Sequence, residues 1–154
     1  MIRTRTAMHH TLAILFALLF AGAVTADEAK PLSVSDSWIR ATPPGASNGA
    51  GFLTLHNDGD SALQLTGVSC QTSVASRCEL HEHIHREGRM RMQQVAAIDI
   101  PPRGSFRFAP GGHHVMLLGL VRPLAPGDKV ELVFTFADQH TFHTTIPVKP
   151  IAGE

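Results

Sequence analysis

From Gly49 onward, apolar and polar residues alternate in short runs, and clusters of Gly, Pro, Asn and Asp separate the runs. Leu53 and Leu55 precede the turn sequence Asn57-Asp58-Gly59-Asp60, and Leu63 and Leu65 follow it. Phe106 and Phe108 lie between Pro101-Pro102-Arg103-Gly104 and Pro110-Gly111-Gly112. Val130, Leu132, Phe134 and Phe136 alternate after Ala125-Pro126-Gly127-Asp128, and Phe142, Thr144, Ile146 and Val148 share a face in the last run. A period of two is the signature of a strand with one buried face, and no segment carries the helical period. About eight or nine short antiparallel strands at regular spacing predict an all-β Greek-key sandwich or small barrel. No internal repeat and no low-complexity segment interrupts the pattern.

The first residues break this rhythm. Met1 to His10 carries Arg3 and Arg5 with no acid, Thr11 to Val24 is almost wholly apolar, and Val24-Thr25-Ala26 ends in small residues. This order predicts a signal peptide over residues 1–26, cleaved to leave an exported domain of residues 27–154. An uncleaved anchor is the alternative, but the run is shorter than the roughly 20 residues that span a bilayer. Asp27 to Leu32 reads as a frayed start and Ala152 to Glu154 as a short tail. The leader takes two arginines and no acid from a chain with 13 Lys plus Arg and 13 Asp plus Glu, so the mature domain is slightly acidic. That balance points to neither nucleic acid nor a membrane surface as partner once the signal is removed.

Export alters the reading of Cys70 and Cys78. In an oxidising compartment, a close pair across a loop is expected to form a disulfide. Ligation of copper by Cys78 and a free or intermolecular thiol are the alternatives. Cys78 and His81 are an odd number of residues apart, which on a strand places them on opposite faces.

The chemistry is concentrated in His81-Glu82-His83-Ile84-His85-Arg86-Glu87-Gly88-Arg89-Met90-Arg91-Met92. On a strand, Glu79, His81, His83 and His85 share a face. With Glu87-Gly88 at the centre of a tight turn, His85 faces Met90, His83 faces Met92, and His81 lies diagonal to Met92. A second group, His113-His114-Val115-Met116, puts His114 and Met116 on one face of another strand. Outside the leader, Met90, Met92 and Met116 are the only methionines, and five of the eight histidines lie in residues 81–114. Methionine used only to fill a core would be scattered along the chain. Thioether sulfur is a soft, neutral ligand suited to Cu(I), imidazole binds copper and zinc, and zinc sites do not normally use methionine.

These spacings resemble the periplasmic copper chaperone PCu(A)C family, whose signature is His, ten residues, Met, twenty-one residues, then His-x-Met. His81, Met92, His114 and Met116 stand at those positions. The likeness extends to Trp38-Ile39-Arg40-Ala41-Thr42-Pro43-Pro44-Gly45, to Gly51-Phe52-Leu53-Thr54-Leu55 and to Leu117-Leu118-Gly119-Leu120. The resemblance implies a cupredoxin-like fold, a periplasmic location and an exposed Cu(I) site with His81, Met92, His114 and Met116 as ligands. It also implies a non-enzymatic role, delivering copper toward the CuA centre of cytochrome c oxidase, sometimes with a Sco-type thiol partner. Many relatives carry methionine where this chain has His83. His83, His85, Met90 and His113 therefore form a candidate secondary metal set, and the extra imidazoles make Cu(II) an alternative to Cu(I). A monomer is expected.

Three other functions compete with this one. A buffering protein that sequesters copper or zinc without a dedicated acceptor could use the same ligands. A blue-copper electron carrier needs a Cys thiolate beside two His and an axial Met, and no cysteine follows Cys78. A copper enzyme would need a nucleophile motif or a second metal cluster, and the sequence shows neither.

Overall fold

The computed structural model describes residues 32–150 apart from Glu87. The expected leader (residues 1–26) and the short tail lie outside the described residues. Leu32, expected at the end of a frayed start, is already paired with Asn57. The described chain is all strand and turn: β1 (Leu32–Arg40), β2 (Asn48–Asn57), β3 (Leu63–Cys70), β4 (Ala75–Arg86), β5 (Arg89–Gln94), β6 (Ile98–Ile100), β7 (Ser105–Phe108), β8 (His114–Leu120), β9 (Lys129–Phe136) and β10 (Thr141–Lys149). Ten strands form where eight or nine were expected: β6 is only three residues long, too short to show a period, whereas β7 carries the Phe106 and Phe108 read from the sequence.

The strand order is β5-β4-β8-β2-β1-β10-β9-β3-β6, with β7 also paired to β2. Nearly every pairing is antiparallel. The exception is β1 with β10, parallel through Ile39↔Val148 and Arg40↔Lys149, which joins the two halves. The sheet is mixed and does not close. Its two halves enclose a core in which Ile39, Leu53, Leu55 and Leu117 meet Leu65, Leu132, Phe134 and Ile146. Each such side chain contributes roughly 1.5–3 kcal/mol by leaving water. The alternation read from the sequence is the burial pattern: in β9, Val130, Leu132, Phe134 and Phe136 are all buried.

One irregularity helps to build the site. Val34 and Ile39 both pack toward the core although they are an odd number of residues apart. A β-bulge between Ser35 and Trp38 absorbs the extra residue, with Asp36 in the left-handed region at φ 51°. An aspartate tolerates that conformation better than most residues. The bulge turns Ile39 inward and leaves Trp38 and Arg40 on the outer face.

Cys70 and Cys78 form a disulfide with Cα atoms 5.8 Å apart. It links β3 to β4, strands that belong to opposite halves and share no hydrogen-bonded ladder. Closing this short ring removes unfolded-state freedom worth roughly 2–3 kcal/mol. A chain carrying both Cys70→Ser and Cys78→Ser should therefore unfold at a clearly lower urea concentration. An unchanged midpoint would show that β3 and β4 need no covalent tie.

Candidate metal centre

β4 is twelve residues long and changes partners along its length. Its first part pairs with β8, from Ala75↔Leu120 through Leu80↔Val115 to His81↔His114. Its second part leaves the sandwich and pairs with β5. The hairpin register is His83↔Met92, His85↔Met90 and Arg86↔Arg89, as expected from the sequence. Gly88, at φ +71°, takes the left-handed turn position that a side chain would strain.

Parity then sorts the side chains. Cys78 and Leu80 face the core, so Glu79, His81, His83 and His85 face outward. On β8, Val115 and Leu117 face the core, so His114 and Met116 face outward. Met116 is opposite Glu79 and His114 is opposite His81. The two groups separated by twenty-one residues thus lie on one patch. The His114 and His83 rings are stacked with centroids 4.8 Å apart, and His81 is 6.0 Å from His114.

The patch has walls. Trp38 packs on Phe52 at 4.6 Å, Phe52 stands 6.5 Å from His114, and the Arg40 guanidinium lies 5.9 Å and 5.7 Å from the Trp38 and Phe52 rings. Between these walls and the hairpin is a cavity of about 350 Å³ lined by His83, Met92, His114 and Met116, with Arg40 and Phe52. His81 stands beside this cavity, and His83 is the first-strand histidine on its wall.

Hydrogen bonds hold two of the imidazoles in a ligating tautomer. His114 Nδ1 lies 3.1 Å from the Gly112 carbonyl, which can only accept, so the proton is on Nδ1 and Nε2 keeps its lone pair. His81 Nε2 donates to Glu79 Oε2 at 2.8 Å, so in the neutral ring the lone pair is on Nδ1, an atom buried without a partner. Arg77 Nε donates to Glu79 Oε1 at 2.7 Å. The His81 bond first, and Arg77 next, hold the Glu79 carboxyl below its usual range. His83 Nδ1 is also buried and unpartnered. A carboxylate or carbonyl fixing the far nitrogen is the usual support of a metal-ligating histidine. Buried lone pairs without partners are costly, and a bound cation relieves that cost.

The donor set favours a soft ion. Among the described residues, no three His, Cys, Asp or Glu side chains converge as a metal cage. The donors beside the imidazoles are thioethers, and both cysteines are in the disulfide, so no described thiolate serves a blue-copper site. His113 points elsewhere: its Nε2 is 3.3 Å from Glu82 and its ring stands edge-on to Phe106 at 5.0 Å. Glu79 and the Gly112 carbonyl were not singled out from the sequence as supports. Only the position of Glu79, two residues before His81 on one strand face, hinted at its role.

Comparison with known proteins places this geometry. The profile of a family described as "Putative lipoprotein LpqE-like" matches residues 32–148. A protein named "Putative lipoprotein Lxx21020", from Leifsonia xyli subsp. xyli (strain CTCB07), is 33% identical over 127 residues, 82% of this chain and 74% of that protein. The solution structure of apo-DR1885 from Deinococcus radiodurans is 31% identical, with a TM-score of 0.61 over 99% of this chain and 98% of that one. The Cu(I) form of DR1885, also 31% identical, has a TM-score of 0.59 over 84% of this chain and 83% of that one. The copper-bound PCuAC domain from PmoF2 shares the fold at 21% identity, with a TM-score of 0.61 over 78% of this chain and 93% of that domain.

His114 is 2% exposed, and burial pushes its pKa below the ordinary histidine value. The unfolded chain therefore binds the proton more readily than the folded one. The stability that His114 contributes is complete above about pH 6.5 and is lost as pH falls from there toward the depressed folded pKa. Nitrogen NMR of the metal-free protein should find His114 as the neutral Nδ1–H tautomer at pH 6.5. His114→Gln should flatten the acid side of the stability profile. An imidazolium signal for His114 at that pH would contradict this account.

Proposed function

The chain belongs to the LpqE-like family, which is the PCu(A)C family its ligand spacing resembles, and on that premise we propose that it is an exported copper carrier. The cargo is Cu(I), held by His81, Met92, His114 and Met116, with His83 as a further donor on the cavity wall. One observation carries the reading: His81 and His114, supported by Glu79 and the Gly112 carbonyl, share an outward face with two thioethers, and His114, Met92 and Met116 line one cavity. The Cu(I)-bound form of a protein 31% identical to this one supports the choice of cargo. The names of the relatives, together with the apolar segment at residues 11–24, support export to the periplasm.

The geometry suits carriage rather than storage. Met92 is 54% exposed, so an incoming ligand can reach the metal from the hairpin side. Thioethers are neutral and exchange readily, so an acceptor can replace them one at a time while buried His114 and partly buried His81 hold on. Cu(I) binds thiolate sulfur more strongly than thioether sulfur, so transfer to a cysteine site runs downhill. The acceptor implied by the resemblance, the CuA subunit of cytochrome c oxidase or a Sco-type protein, offers such cysteines. No bond is made or broken beyond those to the metal, so the role is that of a chaperone and not an enzyme.

Anaerobic competition against a colorimetric Cu(I) chelator tests the site. The wild-type protein should hold one Cu(I) tightly, and excess Zn(II) should not displace it. Met116→Leu and Met92→Leu should each weaken binding by about tenfold or more, the scale set by losing a soft donor or its support. Leucine variants that bind as the wild type does would make the methionines packing residues and end the chaperone reading.

A further inference from the structure

The β4–β5 hairpin repeats its imidazole–thioether pairing. His83 is opposite Met92 and, two residues farther out, His85 is opposite Met90. All four face the same way, by the same parity that turns His81 outward. Opposed side chains in such a ladder lie about 5 Å apart at Cβ. An imidazole nitrogen and a thioether sulfur can therefore close on one ion between them. The two rungs are about 7 Å apart along the strands.

Packing does not explain the outer rung. Every residue of β5 is exposed, and β5 is the outermost strand of its half. Met90 is 57% exposed, and the only other exposed large apolar side chains among the described residues are Met92 and Val121. Val121 lies away from the hairpin. A bare edge strand is ordinarily protected by charge, and the residues alternating with the methionines, Arg89 and Arg91, supply it. The positions facing the histidines carry methionine instead.

We propose that His85 and Met90 form a second, weaker Cu(I) site at the hairpin tip, a staging post through which copper enters and leaves the inner centre. The proposal rests on the reading of the inner centre as a Cu(I) site. Exposure falls from the tip toward His114, while the number of donors rises from two at the tip to four at the inner centre. An ion on the outer rung gains His83 or Met92 before it gives up His85 and Met90, so it is never bare. The flexible thioether of Met92 can serve both rungs. Copper stays Cu(I) throughout, neutral imidazoles bind it, and no electron moves. Arg86, Arg89 and Arg91 lie near the tip on the opposite face, and their charge repels a divalent ion twice as strongly as a monovalent one.

The test is an anaerobic Cu(I) titration of the whole protein, read by the methionine methyl resonances, beside H85A/M90L and Met116→Leu. Wild type should take a tight equivalent that moves the Met116 methyl, then a weaker one that moves Met90. H85A/M90L changes only exposed residues. It should keep the tight equivalent at unchanged affinity, lose the second, and pass copper severalfold more slowly to a thiolate peptide. A Met90 methyl that stays still in wild type, or a double variant with the second equivalent and the wild-type rate, overturns the staging site. If Met116→Leu leaves the tight equivalent intact, the inner-centre reading fails and the staging role fails with it. The Met116 and Met90 signals keep these two failures apart.

Discussion

The candidate centre depends on strand parity, which the hydrophobic core imposes. Burying Cys78 and Leu80 obliges Glu79, His81 and His83 to face the other way, because side chains on a strand alternate without exception until a bulge intervenes. Burying Val115 and Leu117 does the same for His114 and Met116. The ladder from Cys78↔Leu117 to His81↔His114 locks the two parities together. A slip of one residue in that pairing would bury charged groups and scatter the donors. The energy that holds the donors in register is thus mostly the energy of the apolar core beneath them. The disulfide at Cys78, three residues before His81, ties the same strand to the opposite half.

Parity brings the donors together, and a few polar contacts set their state. The Gly112 carbonyl accepts from His114 Nδ1 and, at 3.3 Å, from the backbone N–H of His83. One oxygen therefore couples a donor on β8 to the point where β4 leaves the sandwich. Glu79 does similar work for His81 while Arg77 steadies it. Both arrangements protonate the nitrogen that faces a protein acceptor and leave the other bare, so little reorganisation precedes binding. The desolvation that keeps His114 neutral acts in the same direction, since an imidazolium has no lone pair to give.

Local features were legible in the sequence and long-range closure was not. The hairpin register followed from turn chemistry at Gly88 and alternation on either side. The Cys70–Cys78 pairing followed from spacing and compartment. The parallel joining of β1 to β10 could not be read, because nothing in either strand encodes which end of a sandwich it will reach. β6 escaped notice because three residues cannot establish a period. At the centre, the spacing pattern identified residue types at four positions. That His83 would reach the cavity wall, and that Trp38 and Arg40 would be turned outward by a bulge at Asp36, depends on tertiary packing. His113, adjacent to His114 in sequence but outside β8, turns instead to Glu82 and Phe106.

The choice of methionine follows from where the cysteines are. Cys70 and Cys78 are joined to each other, so sulfur for a soft metal has to come from a group that cannot oxidise to a disulfide. Thioether meets that condition but binds a soft ion less strongly than thiolate, so in the proposed carrier the His/Met set would hold Cu(I) and yield it to a cysteine pair. Buried His114 and partly buried His81 would anchor one side of the ion, and Met92, more than half exposed, faces the solvent on the other, with Met116 partly buried. That asymmetry would give the proposed transfer a direction: ligands on the hairpin side would be replaced first and the buried His114 last, with the core below unmoved.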